Sequence, residues 1–303
     1  MDDFKGKVAF ITGGGSGAAL GQAKVFSQAG CKVAIADIRQ DHLDTAMAWF
    51  KKERPEAKIH PIHLDIADRK AYAAAADETE KVLGPVQLLF GTAGVNMFGS
   101  VERATYDDWD WQWNVNFNGV LNGMQTFVPR MIEYGKGGHI VNTASMAAFS
   151  ASSAAGIYSV TKFAVRALSE AYRDGLAKYN IGVSCLCPGN INSNIAESFM
   201  TRPKGMKTGI DADPRDIAAL RELYAQGIDP EELALMVKDA IIENRFLIIP
   251  GRGMGPRMEE NMMKILDFLP PEDADSEGVA KRARAMTAYR AARAKLDAEK
   301  YGK

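Results

Sequence analysis

Cysteine is scarce in this chain: Cys31, Cys185 and Cys187 are the only three in 303 residues, and no two stand in a C-x-x-C spacing. An odd count without pairing pattern argues for reduced thiols rather than a disulfide framework. The four histidines, His42, His60, His63 and His139, are not grouped with acids or thiols at metal-ligand spacing, so no metal site is expected. Charge of neither sign is in excess: the formal net charge is -1, without the basic footprint of a nucleic-acid or membrane-surface binder. No apolar run approaches the roughly 20 residues that cross a bilayer. The acidic start, Met1-Asp-Asp-Phe-Lys, runs at once into an apolar segment and leaves no room for a signal peptide. These absences point to a cytoplasmic protein whose partners are small molecules and copies of itself.

What is present is an alternation of strand and helix patterns. Lys7–Thr12 is apolar without strict alternation, as a parallel strand buried on both faces should be. A glycine turn follows, Gly13-Gly-Gly-Ser-Gly17, and then a helical pattern to Gln28. A turn of that kind lets backbone N–H groups and a helix N-terminus approach a pyrophosphate. The second strand, Lys32–Asp37, ends on an acid about twenty residues past the turn, where a carboxylate accepts from ribose hydroxyls and repels a 2′-phosphate. NAD is therefore favoured over NADP, with Arg39 the residue that would blunt the repulsion.

The pattern continues with a helix at 41–54, a strand at 58–64 running into Asp65-Ile66, a helix at 68–83, and a strand at 87–90 opening into Gly91-Thr-Ala-Gly94. A long helical stretch spans 106–134. A fifth strand spans 138–144 and a helix 156–179; a sixth strand at 181–187 is closed by Pro188-Gly189. Residues 190–228 read as irregular, a lid or binding loop, before a helix at 230–244 and a last strand at 246–250. This order predicts an α/β fold: one doubly wound parallel sheet of about seven strands between two helical layers. Residues 251–303 read as a helical C-terminal extension of that single domain.

Tyr158 and Lys162 stand four apart in a predicted helix and so share a face. A positive neighbour favours the phenolate and brings a tyrosine proton within reach of neutral-pH chemistry. Ser145 stands at the carboxyl end of the fifth strand, where open α/β sheets place their ligands.

With these residues in order, the sequence resembles the short-chain dehydrogenase/reductase family as far as Pro250. Thr12-Gly13-x-x-x-Gly17 resembles its cofactor turn, Asp65-Ile66 its adenine contact, and Ala93-Gly94 part of its Asn-Asn-Ala-Gly segment. Asn116, Ser145, Tyr158 and Lys162 match its catalytic four. Pro188-Gly189 with Ser193 matches the segment that grips the nicotinamide carboxamide. The resemblance implies a Rossmann-type NAD groove that also includes Gly15, Ser16, Ile38, Thr92 and Ile191. It implies proton transfer by Tyr158 with charge stabilisation from Ser145, and a proton relay through Asn116 to Lys162, which also holds the nicotinamide ribose. A homodimer or homotetramer is implied as well. Three positions depart from the pattern: Ala19 for the last glycine, Gly91-Thr92 for two asparagines, with loss of amide ties across the sheet, and Ser193 for threonine.

The segments Thr105-Tyr-Asp-Asp-Trp-Asp and Ile191-Asn-Ser-Asn-Ile-Ala-Glu, with the tail, resemble the bacterial NAD-dependent dehydrogenases of the Cα alcohol in lignin-derived β-aryl ethers. The expected activity is oxidation of a bulky secondary alcohol to a ketone. Val95, Asn96, Met97, Phe98, Met146, Phe149, Asn190, Phe199, Met200 and Met206 are the candidates for an apolar, adaptable pocket. A reductase of acyl-thioester or steroid-like ketones, and a catalytically silent nucleotide-binding scaffold, are the rival readings.

Overall fold

In the computed structural model, which describes residues 1, 3–210, 213–270 and 276–301, seven strands form one sheet in the order β3-β2-β1-β4-β5-β6-β7. The strands are β1 (Val8–Thr12), β2 (Lys32–Asp37), β3 (Ile59–His63), β4 (Val86–Gly91), β5 (Gly138–Thr143), β6 (Ile181–Leu186) and β7 (Leu247–Ile248). Every neighbouring pair is parallel. The connecting helices are α1 (Gly17–Gln28), α2 (Gln40–Glu53), α3 (Arg69–Leu83), α4 (Tyr106–Trp113), α5 (Gly119–Tyr134), α6 (Gly156–Leu176), α7 (Pro214–Ala225) and α8 (Pro230–Ile242).

Parallel strands covered on both sides need apolar residues at successive positions, and β1 shows this directly. Ala9 and Ile11 pack with Phe26 of α1, Leu43 of α2 and Val237 of α8. Val8 and Phe10 pack on the other face with Tyr72 of α3 and Phe127 of α5. The chain winds outward from β1 through β2 to β3, then returns to lay β4 on the other flank of β1. That reversal opens a crevice between the carboxyl ends of β1 and β4, where ligands of such sheets bind.

Two regions differ from the sequence expectation. The long stretch 106–134 is two α-helices joined by a π-helical turn, Asn114–Asn118. The segment 190–228 is not irregular throughout: it holds a 3₁₀ stretch, Asn194–Thr201, and α7, capped by Asp213, whose carboxylate accepts from Arg215 N at 2.8 Å. The Asp213-Pro214 pair is a readable helix start that the density of Gly, Pro and charge around it obscured.

The chain divides into two compact units, Met1–Met254 and Gly255–Lys303. The second contains α9 (Gly255–Asp267) and α10 (Ser276–Tyr301).

Candidate active site

The crevice is built by close backbone approach. Gly13, at φ +73°, lies so near the loop after β4 that a Cβ there would meet Ala93 Cα at 3.0 Å. The Thr12 hydroxyl fixes this approach: it donates to the Phe90 carbonyl at 3.2 Å and accepts from the N–H groups of Thr92 at 3.0 Å and Ala93 at 3.1 Å. Gly17, at φ +51°, opens α1, and a Cβ there would meet Ser193 Cβ at 3.0 Å. Its N-cap, Ser16, makes no side-chain bond to the first turn, so those N–H groups remain available to an anion. Ala19 is buried in the core beside the sheet, as close helix–strand packing requires.

Asp37 ends β2 with one carboxylate oxygen accepting from Gly15 N at 3.0 Å and the other from Arg39 N at 2.9 Å. The Arg39 guanidinium is turned to Asp41, to which its Nε donates at 2.7 Å. The hydrogen bond to Asp41 raises the Arg39 pKa. A carboxylate so held, beside an open helix N-terminus and turns too tight for a Cβ, fits a dinucleotide with free ribose hydroxyls.

A cavity of about 560 Å³ occupies the crevice. Of the cofactor-side residues named from sequence, all but Thr12 and Gly15 line it. Those two act from behind, Thr12 through the loop and Gly15 through Asp37. Gly14 was missed by sequence reasoning; a Cβ there would meet Ile35 Cβ at 2.7 Å.

At the other end stand Ser145, Tyr158 and Lys162. Ser145 Oγ accepts from Ala147 N at 3.2 Å and lies 3.5 Å from the Pro188 carbonyl, to which it donates. Lys162 donates to the Thr143 carbonyl at 2.9 Å. Its burial lowers the ammonium pKa to about 8. Burial pushes the Tyr158 phenol above its ordinary value, and a hydrogen bond with Ser145 pulls it back. Within the chain itself, desolvation outweighs the hydrogen bond, in the direction opposite to the easing expected from Lys162.

Asn116 sits in the π-helical turn and is fully buried. Its Oδ1 accepts from Val95 N at 2.8 Å, while its Nδ2 donates to Val95 O at 2.9 Å and to Thr161 Oγ1 at 3.2 Å. The amide clamps the loop after β4 and does not itself line the cavity. The extra residue of the π turn is what aims it there.

The two missing asparagines are partly replaced. Thr92 Oγ1 donates to Gln22 Oε1 at 2.7 Å and lies 3.4 Å from Thr143 Oγ1, whose hydroxyl donates to it. Asn142 of β5 occupies the space beside Gly91, where a Cβ would meet its Oδ1 at 2.9 Å. The expected loss of ties across the sheet is thus made up at Thr92 but not at Gly91, where the buried Asn142 Oδ1 is left without a hydrogen-bond partner.

On the substrate side, Val95, Asn96, Phe98, Met146, Asn190 and Met206 line the cavity, and Met97, Phe149, Phe199 and Met200 do not. Met97 is buried with Trp111 and Ile157. Phe149 packs on a separate cluster with the Arg166 guanidinium 4.6 Å from its ring centre. Phe199 and Met200 fail on helical period: in the 3₁₀ stretch Asn194 and Glu197, and Ile195, Ser198 and Thr201, line the cavity in two rows three apart that pass over both. Trp111, Pro203 and Tyr224 line the wall and were not anticipated as such.

A tyrosine on the cavity wall with a buried lysine one turn on, at the carboxyl end of a dinucleotide-type sheet, defines the class of nucleotide-dependent oxidoreductases. The profile of the family described as short chain dehydrogenase matches residues 7–204, and the chain belongs to that family. It is 47% identical over 301 residues to C alpha-dehydrogenase of Sphingobium sp. (strain NBRC 103272 / SYK-6), covering 99% of this chain and 98% of that protein. The crystal structure of the apo form of LigO from Sphingobium sp. strain SYK-6 is similar at 46% identity and a TM-score of 0.78, covering 96% of this chain and 98% of that one. A short chain dehydrogenase/reductase from Burkholderia phymatum, solved in complex with NAD, matches at 30% identity and a TM-score of 0.83, covering 89% and 98%. The chain is a dehydrogenase of this family.

Proposed function

We propose that this protein oxidises the Cα benzylic alcohol of a lignin-derived β-aryl ether, or a closely related bulky aromatic alcohol, to the ketone with NAD. The observation that carries the reading is the likeness to C alpha-dehydrogenase over 99% of this chain, the region after Pro250 included. The cavity agrees with it. Its basic residues, among those described, are Arg39, His42 and Lys162. Arg39 and His42 flank Asp37 and Lys162 is catalytic, so none is free for the phosphates of an acyl-thioester carrier. Phe98, Trp111, Met146, Met206 and Tyr224 instead offer aromatic and thioether contacts to a neutral ring.

Tyr158 takes the alcohol proton in oxidation and returns it in reduction, and Ser145 donates to the substrate oxygen as charge builds there. Lys162 holds the nicotinamide ribose, and its nearby positive charge eases loss of the phenolic proton against the opposing effect of burial. Bound NAD would supply the hydride acceptor. Asp37 selects NAD by repelling a 2′-phosphate, with Arg39 occupied by Asp41.

The protein acts in the cytoplasm as a homodimer or homotetramer. Residues 190–228 serve as its substrate lid, and the C-terminal extension forms part of the same working domain. An alcohol panel followed by NADH absorbance tests the reading. Turnover strongest with bulky benzylic alcohols supports it; activity confined to thioester ketones with NADPH, or none at all, would replace it by a rival.

A further inference from the structure

We propose that Asp108, through its buried ion pair with Arg202, is the positioning residue that sets the substrate wall and decides how bulky an alcohol the site accepts. The inference rests on the alcohol-dehydrogenase reading above and extends it to a residue that touches neither substrate nor cofactor.

Asp108 belongs to the segment Thr105-Tyr-Asp-Asp-Trp-Asp, to which no catalytic role falls. Its side chain is 0% exposed and that of Arg202 10%. One carboxylate oxygen accepts from Arg202 Nη1 at 2.6 Å and Thr208 Oγ1 at 2.9 Å. The other accepts from Thr105 N at 2.8 Å and Gly209 N at 3.0 Å, with Thr105 Oγ1 at 2.9 Å. A carboxylate has about four lone-pair sites, so this one is saturated. Two of its donors belong to Thr105, the N-cap of α4, with which Asp108 completes a capping box. The other three come from residues 202–209, about a hundred positions along the chain.

This buried anion is therefore the centre of the ties between the lid and α4, which Lys207 N donating to Asp107 Oδ2 at 2.7 Å and Thr105 Oγ1 donating to the Lys207 carbonyl at 3.1 Å supplement at the exposed edge. The consequences reach the cavity through its neighbours. Trp111, one turn beyond Asp108, has the Arg202 guanidinium 5.4 Å from its ring centre and itself lines the cavity. Thr201 and Pro203, flanking Arg202, line it too, as does Met206. Asp108 and Arg202 do not. A buried ion pair is weak as a source of net stability but strong as a specifier of one arrangement, because either partner alone is left uncompensated. Here the arrangement specified is the distance between Trp111 and residues 201–206, which is the width of the substrate slot.

Asp108→Asn keeps the shape but turns one acceptor edge into a donor and leaves Arg202 unpaired. The KM for a bulky β-aryl-ether alcohol is expected to rise about tenfold or more, a size typical of remote mispositioning. The KM for NAD, and both kcat and KM for a small benzylic alcohol that does not reach the lid, are expected to stay within about twofold. Arg202→Lys, which preserves the charge opposite Asp108, is expected to retain much of the wild-type KM for the bulky substrate. Without any substrate, trypsin is expected to cut the Asp108→Asn protein faster at Lys204 and Lys207. Should Asp108→Asn not fold, the double variant Asp108→Asn/Arg202→Met, which leaves no lone buried charge, takes its place.

Equal shifts in KM for both alcohols and NAD would assign the pair a merely structural role. Unchanged kinetics with unchanged cleavage would remove it from the account altogether. If the wild type oxidised no alcohol, the dehydrogenase reading would fall, and the cleavage comparison alone would decide whether the pair holds the lid.

Discussion

The Lys162 ammonium stands 5.4 Å from the centre of the Tyr158 ring, one turn further along α6, and is 2% exposed. It reaches the back of the site through the Thr143 carbonyl at the end of β5. Desolvation works against both charged forms, lowering the fully buried lysine and raising the half-buried tyrosine on the cavity wall. A charge held there at a cost is poised for use.

That cost is measurable. Lys162 has a folded pKa of about 8 against 10.5 for the free side chain, so between those values the folded protein binds fewer protons than the unfolded chain. Stability contributed at this site therefore rises as pH climbs from about 8 to 10.5. Wild type should gain on Lys162→Met by about 2–3 kcal/mol across that window in urea unfolding. A difference flat with pH would mean that the ammonium is well solvated.

Asp108 should behave in the opposite sense. Burial alone would raise its pKa, but hydrogen bonds from Thr105 N, Gly209 N, Arg202 and Thr208 hold it at about 2, against 3.8 for the free group. Its contribution is present above 3.8 and disappears as pH falls toward 2. An advantage of about 2 kcal/mol over Asp108→Asn should shrink through that range, as read by denaturant titration.

Cofactor choice turns on Asp37 and on the partner of Arg39. Wild type should prefer NAD to NADP by at least about tenfold in kcat/KM, a modest price for a phosphate beside a carboxylate. Asp41→Ala frees the Arg39 guanidinium and should narrow that ratio through the KM for NADP. An unchanged ratio would show that Arg39 cannot reach the 2′ position.

Gly21 supports the groove from below. A Cβ there would meet the Pro230 carbonyl oxygen at 2.3 Å, where α1 packs on α8. Gly21→Ala should force the helices apart and cost about 1–3 kcal/mol, seen as a lower Tm, despite the better helix propensity of alanine. An unchanged or raised Tm would contradict so tight a contact.

Strands and glycine turn were legible because each follows from local rules. Buried parallel strands must be apolar on successive residues, as at Val8–Thr12, and the close approach of Gly13 to Ala93 requires glycine. The lid was less legible because its geometry is set by distant partners. Nothing in the local sequence says that Arg202 meets Asp108, or that a 3₁₀ period turns Ser198 inward and Phe199 away. Asn116 was found by resemblance, but its engagement with Val95 depends on a π turn that no hydrophobic pattern announces.

The central claim is that the Tyr158 hydroxyl carries the substrate proton. Turnover of a benzylic alcohol by Tyr158→Phe, measured beside NAD affinity, tests it most directly. The account expects kcat to fall at least about a hundredfold while NAD still binds. Turnover near that of the wild type would contradict it.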